Sequence, residues 1–410
     1  MKYIESLHVA KVRKFEKLDI FFNKSFNFIA GPNGCGKTSV LACIAHCFNL
    51  HSAEQSSLNA ESSFWSDLTV GNSLLRIGAG RDVYSGAGYR TGKFTSGGVD
   101  LPRQEGRTNM RSWDAESKKH CPLFIGASRS IKYKVVGGMT RETSSEKALE
   151  NYSSKAVSSL YGDSTADIKQ WLVNRYFVIE KDWAVHEREN FNRLVSSLGG
   201  IGPSESEFSF VEIGGDLEPV FSIYGRKCYL EELSSGFQAV FFIIVAIFEW
   251  IESTGTDNRL VALATGTVVI DELDLHLHPE WQFTLRDGLT SLFPLLQFIV
   301  TTHSPHLLAS AKDGEVIVMP SEGTGGYITP SPKRFSGWST DQILTDIMDV
   351  KSIENKDYER LVSEALMQSE ARSSDGLLGA IHALEQICHP SDTIVTVLKA
   401  KHASLVATEK

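Results

Sequence analysis

An α/β fold on a parallel sheet, with a phosphate-binding loop after its first buried strand, is predicted for this 410-residue chain. Three observations carry the prediction. The apolar run Phe26–Ala30 feeds Gly31-Pro32-Asn33-Gly34-Cys35-Gly36-Lys37-Thr38-Ser39, which matches G-x-x-x-x-G-K-[ST] without a gap. The β-branched run Gly266-Thr267-Val268-Val269-Ile270 reads as an interior parallel strand and ends in the carboxylates Asp271 and Glu272. A third strand, 296–302, ends in His303-Ser304-Pro305. In open α/β sheets, ligands bind at the carboxyl ends of such strands.

Residues 4–22, with Val12-Arg13-Lys14-Phe15 inside, read as N-terminal strands. The loop chemistry follows from its residue types. Glycines let the backbone turn its N–H groups toward phosphate oxygens. Lys37 adds an ammonium for the β- and γ-phosphates, and the following helix points its positive end at the anion. Thr38 offers a hydroxyl to Mg²⁺. The chain is therefore expected to bind ATP with Mg²⁺, through Asn33, Gly34, Cys35, Gly36, Lys37, Thr38 and Ser39. Asp271 would join Thr38 at the metal, and Glu272 would polarise the attacking water. His303 is a candidate sensor of the γ-phosphate.

Between residues 76 and 141 stand thirteen basic and five acidic residues, within a chain of net charge −9. That stretch is rich in glycine and serine, so residues 50–141 are expected to form a loop and β insertion. Its charge suits either a nucleic-acid backbone or the acidic surface of a partner chain. Within it, 124–129 looks like a strand end aimed at the nucleotide, making Arg129 a candidate γ-phosphate or interface arginine. A glutamine loop has three candidates, Gln55, Gln104 and Gln170. Residues 142–230 are expected to form a helical lobe, with apolar positions at helical spacing through 148–161 and 168–176.

Leu233-Ser234-Ser235-Gly236-Phe237-Gln238 caps a strongly apolar helix. Downstream, Asp271-Glu272-Leu273-Asp274-Leu275-His276-Leu277-His278-Pro279 follows the buried run 266–270, and Asp274 is a further site candidate. His276 and His278 could be read as a metal pair, but no third ligand is evident. The six cysteines show no metal-ligand spacing and read as reduced, and no apolar run approaches the ~20 residues of a membrane span. No signal peptide is expected, and the chain is expected to be cytoplasmic.

Taken together, these blocks resemble the ATPase heads of the ABC/SMC/RecF superfamily. Lys37-Thr38 matches Walker A, 233–238 the signature, Asp271-Glu272 Walker B, and His303 the switch. The signature carries Phe237 where the family has another residue. The resemblance implies an ABC/SMC-type P-loop head over 1–310, with a mixed sheet core, and Arg13 near the nucleotide. It also implies that Ser234, Ser235, Gly236 and Gln238 act in trans, on the ATP of a second head. No sustained heptads separate Thr38 from Ser234, so a long-armed molecule is excluded. The strings HLHP at 276–279 and TTHSP at 301–305 further resemble the AAA-annotated, OLD-related ATPases.

After Pro305 no D-x-D or other catalytic spacing appears, and 330–410 reads as a helical docking region beginning at Gly337-Trp338-Ser339. Such a head and tail are similar to the standalone ATPases of bacterial anti-phage systems of the Septu, Septu-type retron and PARIS kinds. That similarity implies ATP-dependent dimers or higher oligomers and a separate effector nuclease, of HNH or Toprim type. Contact with DNA or retron nucleic acid through 76–141 is a further expectation; a membrane partner is not. The alternative is a RecF-like DNA-binding clamp acting in repair. An ABC transporter subunit is disfavoured by the N-terminal strands and the HLHP string.

Overall fold

The computed structural model describes residues 1–49, 56, 58–86, 92–95, 98–163, 166–255, 258–321, 325–350 and 355–408. It divides into two units, residues 1–349 and 350–410.

The first unit is built on a five-stranded, wholly parallel sheet in the order Val316–Val318, Phe26–Ala30, Leu296–Thr301, Gly266–Ile270, Leu123–Ile125. The three central strands are buried throughout, which explains their unbroken apolar and β-branched composition. Because all strands run the same way, the phosphate loop, Asp271-Glu272, His303 and Arg129 all follow carboxyl ends of one sheet.

A six-stranded sheet stands beside it, ordered Gly325–Ile328, Phe15–Phe21, Lys2–Val12, Ser63–Val70, Ser73–Ala79, Arg107–Arg111. The helix Lys37–Phe48 packs into the hydrophobic core shared by both sheets, where Leu41, Ile44 and Phe48 meet Leu7, Val9, Phe64, Ile77, Val269 and Ile299. Gln297 stitches the sheets together. Its Oε1 accepts from the Ile4 N–H at 2.9 Å and the Thr267 hydroxyl at 2.8 Å, and its Nε2 donates to the Ile4 and Asn23 carbonyls, both at 2.8 Å. The strand Lys2–Val12 slips register between Ile4 and Ser6, and the fully buried glutamine serves the backbone groups freed there. Gln297→Leu leaves several of these groups dry and unpaired, so the urea midpoint is expected to fall by the equivalent of about 3 kcal/mol.

Two sequence expectations change here. Residues 50–141 are not a mere insertion: three of their strands extend the N-terminal sheet. Several of its basic residues are paired within the chain. Arg76 grips Asp67 through Nε at 2.7 Å and Nη2 at 2.8 Å, and Arg107 holds Glu5 at 2.6 Å. Arg111, Lys118, Lys119 and Lys134 pair with Asp100, Glu150, Glu116 and Asp167. Arg90 lies outside the described residues.

The expected helical lobe is present as Ser145–Ser154, Ala156–Leu160, Ile168–Val178 and Val185–Ile201. It then gives way to a three-stranded antiparallel sheet, Ser209–Ile213, Pro219–Ile223 and Arg226–Tyr229. Tyr224 and Gly225, with φ of 49° and 72°, form the two-residue turn between its last two strands.

The helix Ser235–Thr254 is long and apolar enough to cross a membrane by length and composition, yet most of it is buried in the first unit. Beyond 330, the short helix Thr340–Asp346 belongs to the first unit, with a Ser339–Gln342 capping box. The second unit comprises Lys356–Glu370, Ser374–Glu385 and Thr393–Thr408, closed around Ala365, Leu377, Ile381, Leu384 and Leu398.

Candidate functional site

The phosphate loop leaves Ala30 through Gly31, whose φ of 142° is closed to most side chains and whose missing Cβ would lie 2.8 Å from the Met319 carbonyl. Gly36, at φ 102°, starts the helix in the left-handed region beneath the Phe15 ring. Lys37 is 6% exposed, and its ammonium donates to the Gly31 carbonyl at 2.9 Å and the Pro32 carbonyl at 3.0 Å. Burial lowers its pKa, while Asp271, Asp274 and Glu272 act in the opposite direction. The ammonium is thus held by neutral carbonyls inside the loop, available for exchange onto phosphate oxygens. Asn33 and Gly34 are exposed on the loop tip, Ser39 is half-buried, and Cys35 is buried.

Thr38 and Asp271, 233 positions apart in sequence, meet at 3.0 Å from Oγ1 to Oδ2. Asp271 is 5% exposed, and a hydroxyl from Thr301 also reaches its carboxylate. A hydroxyl and a carboxylate converging at a phosphate loop form the hard-oxygen set that suits Mg²⁺. Glu272 follows with φ 49°, a left-handed conformation costing on the order of 1–3 kcal/mol. Its N–H donates to Thr301 Oγ1 at 2.7 Å, so one threonine fixes both carboxylate residues. Asp274 accepts from the Thr302 hydroxyl at 2.7 Å and the His303 N–H at 3.1 Å. It therefore positions the switch turn. The His303 imidazole has its pKa lowered, first by burial and then by the Lys37 charge, and is neutral at pH 7.

Other expected residues are placed differently. Arg129 is 2% exposed; it donates to the Asp271 carbonyl, to the Glu272 carbonyl at 3.0 Å and to the Gly126 carbonyl at 2.9 Å. Its bonds thus brace the Walker B turn. The chain beyond it is pinned repeatedly: Ile131 N–H to Gln238 Oε1 at 3.0 Å, Lys134 to Asp167, and Gln170 Nε2 to the Gly138 carbonyl at 2.9 Å. Gln104 is bound to Arg76, so neither it nor Gln170 reaches the strand ends; Gln55 lies outside the described residues.

Arg13 donates to Ser56 Oγ and Tyr161 Oη, both at 2.9 Å. Its neighbour Lys14, which the sequence reading passed over, donates instead to the Gly34 carbonyl at 2.6 Å. Ser56 also meets the fully buried His46 at 2.7 Å. Burial, with the Arg13 charge second, pushes the His46 pKa down to about 3. The unfolded chain takes up a proton near pH 6.5 that the fold refuses. Stability is therefore expected to drop by up to about 1.4 kcal/mol per pH unit below 6.5, and His46→Gln to flatten that slope in acid denaturation.

Ser234 caps the helix Ser235–Thr254, but its hydroxyl makes no capping bond and, like Ser235, it is exposed. Gly236 abuts the turn of 271–279: a Cβ there would lie 2.9 Å from the His276 carbonyl. Phe237 is buried against Trp281, its ring centroid 4.7 Å away. Gln238 spends its amide internally, donating to the Glu231 and Leu233 carbonyls at 2.9 Å and accepting from Ile131. The signature thus presents two serines and a glycine, while its glutamine is structural. Ser234, Ser235 and Gly236 line a groove of about 380 Å³ with Glu205, Tyr224, His276, His278 and Glu280, and no residue of the phosphate loop lines it.

Known proteins bear on this geometry. Residues 6–172 match an AAA domain family, and residues 178–309 match the family described as AAA domain, putative AbiEii toxin, Type IV TA system. The Septu protein PtuA of Bacillus thuringiensis is 26% identical, over 98% of each chain. The chain is a homologue of PtuA. The probable ATPase of retron Ec83 from Escherichia coli is 29% identical over 171 residues, 41% of this chain and 31% of that one. The SMC head domain from Thermotoga maritima aligns with 80% of this chain and 98% of its own at 14% identity, with a TM-score of 0.44. Like PtuA in sequence over 98% of each chain, the chain matches AAA domain families and carries its phosphate-binding loop on a parallel α/β sheet.

The sequence reading missed Thr301, Thr302 and Lys14. The threonines stood in the TTHSP string, where two hydroxyls between a buried strand and a histidine were the available signal. Nothing in sequence separated Lys14 from Arg13.

Proposed function

We propose that the chain is the cytoplasmic, ATP-operated switch subunit of an anti-phage defence complex, pairing head to head around two nucleotides and controlling a separate effector nuclease. The observation that carries this reading is that the signature serines line a groove apart from the chain's own phosphate loop. A second copy supplies the missing half of each site. End-to-end similarity to PtuA supports the biological setting.

In the reaction, ATP and water give ADP and phosphate. Lys37 and the loop N–H groups hold the β- and γ-phosphates. Thr38 and Asp271 would hold Mg²⁺, which would supply neutralisation of the phosphate charge. Glu272 orients the attacking water and accepts its proton, its carboxylate aimed by the Thr301 bond to its own N–H. His303, neutral and anchored through Asp274, donates a hydrogen bond to the γ-phosphate. ATP that binds only the paired state stabilises it by about 2.7 kcal/mol at a hundredfold excess over Kd, and slow hydrolysis withdraws that amount.

The test is the native mass of the complex isolated from cells carrying its operon, with and without ATP. An ATP-dependent multimer bearing a nuclease subunit supports the reading. A bare dimer that brings DNA with it replaces the reading by the clamp.

A further inference from the structure

The rim of the phosphate loop carries one exposed cation with no carboxylate partner among the described residues. Lys14 lies across the loop, its Nζ on the Gly34 carbonyl at 2.6 Å and its Cδ 3.1 Å from where a Gly36 Cβ would stand. Lys37 cannot play that part, being buried and turned to the loop carbonyls. The signature groove has the opposite character. Glu205 enters from the turn before the three-stranded sheet, and Glu280 from the first turn of the helix Pro279–Leu292. Both are exposed, and neither has an ion-pair partner among the described residues. The groove thus places two carboxylates around the exposed Ser234 and Ser235. Tyr224, 58% exposed on its hairpin turn, adds an apolar rim.

We propose that this groove seats the phosphate-loop rim of a second copy of the chain, with Lys14 of one copy meeting Glu205 and Glu280 of the other. The inference rests on the head-to-head reading above and adds the contacts that set its register. Two-fold symmetry makes the contact self-complementary: each copy offers one rim and one groove, so both ion pairs form twice. Charge at such a rim governs partner choice and association rate more than overall affinity. Lys14 and the two glutamates thus restrict pairing to copies docked with loop against signature.

The test uses two variants of the full chain in a Glu272→Gln background with ATP, one carrying Lys14→Glu and one carrying Glu205→Lys with Glu280→Lys. Each alone places like charges in both contacts, and its ATP-dependent dimer is expected to weaken about tenfold or more. Mixed together, they restore opposite charges at both contacts, so a heterodimer of near-parental affinity is expected, read by native mass spectrometry of differently tagged chains. Melting curves and the ATP affinity of each monomer verify that both variants fold and load. Dimers of either variant as strong as the parent, or a mixture showing no preference for the heterodimer, overturn the proposal. Absence of any ATP-dependent dimer in the Glu272→Gln parent overturns the head-to-head reading instead.

Discussion

Glu272→Gln is expected to bind ATP normally and to hydrolyse it at least about a hundredfold more slowly, because the amide cannot take the proton from water. The amide keeps the size and backbone of the glutamate, so the left-handed turn at φ 49° and the N–H bond to Thr301 persist. The neighbouring carboxylate, Asp271, still faces Thr38. The loaded state then has no exit through hydrolysis, and size-exclusion chromatography with light scattering should find the ATP-bound multimer accumulating. Single-turnover hydrolysis as fast as in the parent chain would falsify the assignment of Glu272 as the base.

Lys37→Ala should abolish nucleotide-dependent behaviour at its source. The ammonium is the buried charge bonded within the loop, and charge-assisted bonds to phosphate contribute about 1.5–3 kcal/mol each. An affinity loss of about a hundredfold is expected in titration with fluorescent ATP. Multimer formation and control of any co-purifying nuclease should disappear together. The Gly31 and Pro32 carbonyls lose a donor, so the melting temperature is expected to fall modestly while the fold persists. Unaltered ATP affinity would show that the nucleotide binds elsewhere.

The parts of the site legible in sequence were those where chemistry dictates residue type over a short span. The phosphate loop needs its glycines for backbone reasons, and a buried parallel strand must be apolar before it can end in carboxylates. These features are local, so Lys37, Thr38, Asp271 and Glu272 could be read directly. Pairings set by the third dimension were not legible. Arg129 is at the strand end that sequence suggested, but only the fold shows its guanidinium taken up by the Walker B carbonyls. Arg13 and Lys14 are adjacent, and a left-handed corner at Arg13 decides which of them lies over the loop. In the basic stretch, charge counts ignore partners: Arg76 is answered by Asp67 on the adjoining strand, and Arg107 by Glu5 from farther across the sheet. The strands at 209–229 were hidden behind the helical lobe that precedes them, although Tyr224-Gly225 was a usable turn signal.

The stretch from Arg129 to Gly138 behaves as a taut cord. It is fastened to the Asp271 and Glu272 carbonyls, to Gln238 at the head of the signature helix, and to Asp167 and Gln170 in the lobe. With a fastening every few residues there is no spare length to absorb a displacement at one end. When the Walker B turn moves by an ångström, either the cord drags Gln238 with it or one of these bonds must open. Gln238 lies within one helical turn of the serines that face outward, so the chemistry at one surface is geared to the posture of another. An event as small as the departure of a phosphate can in this way alter how the head presents itself to whatever it holds.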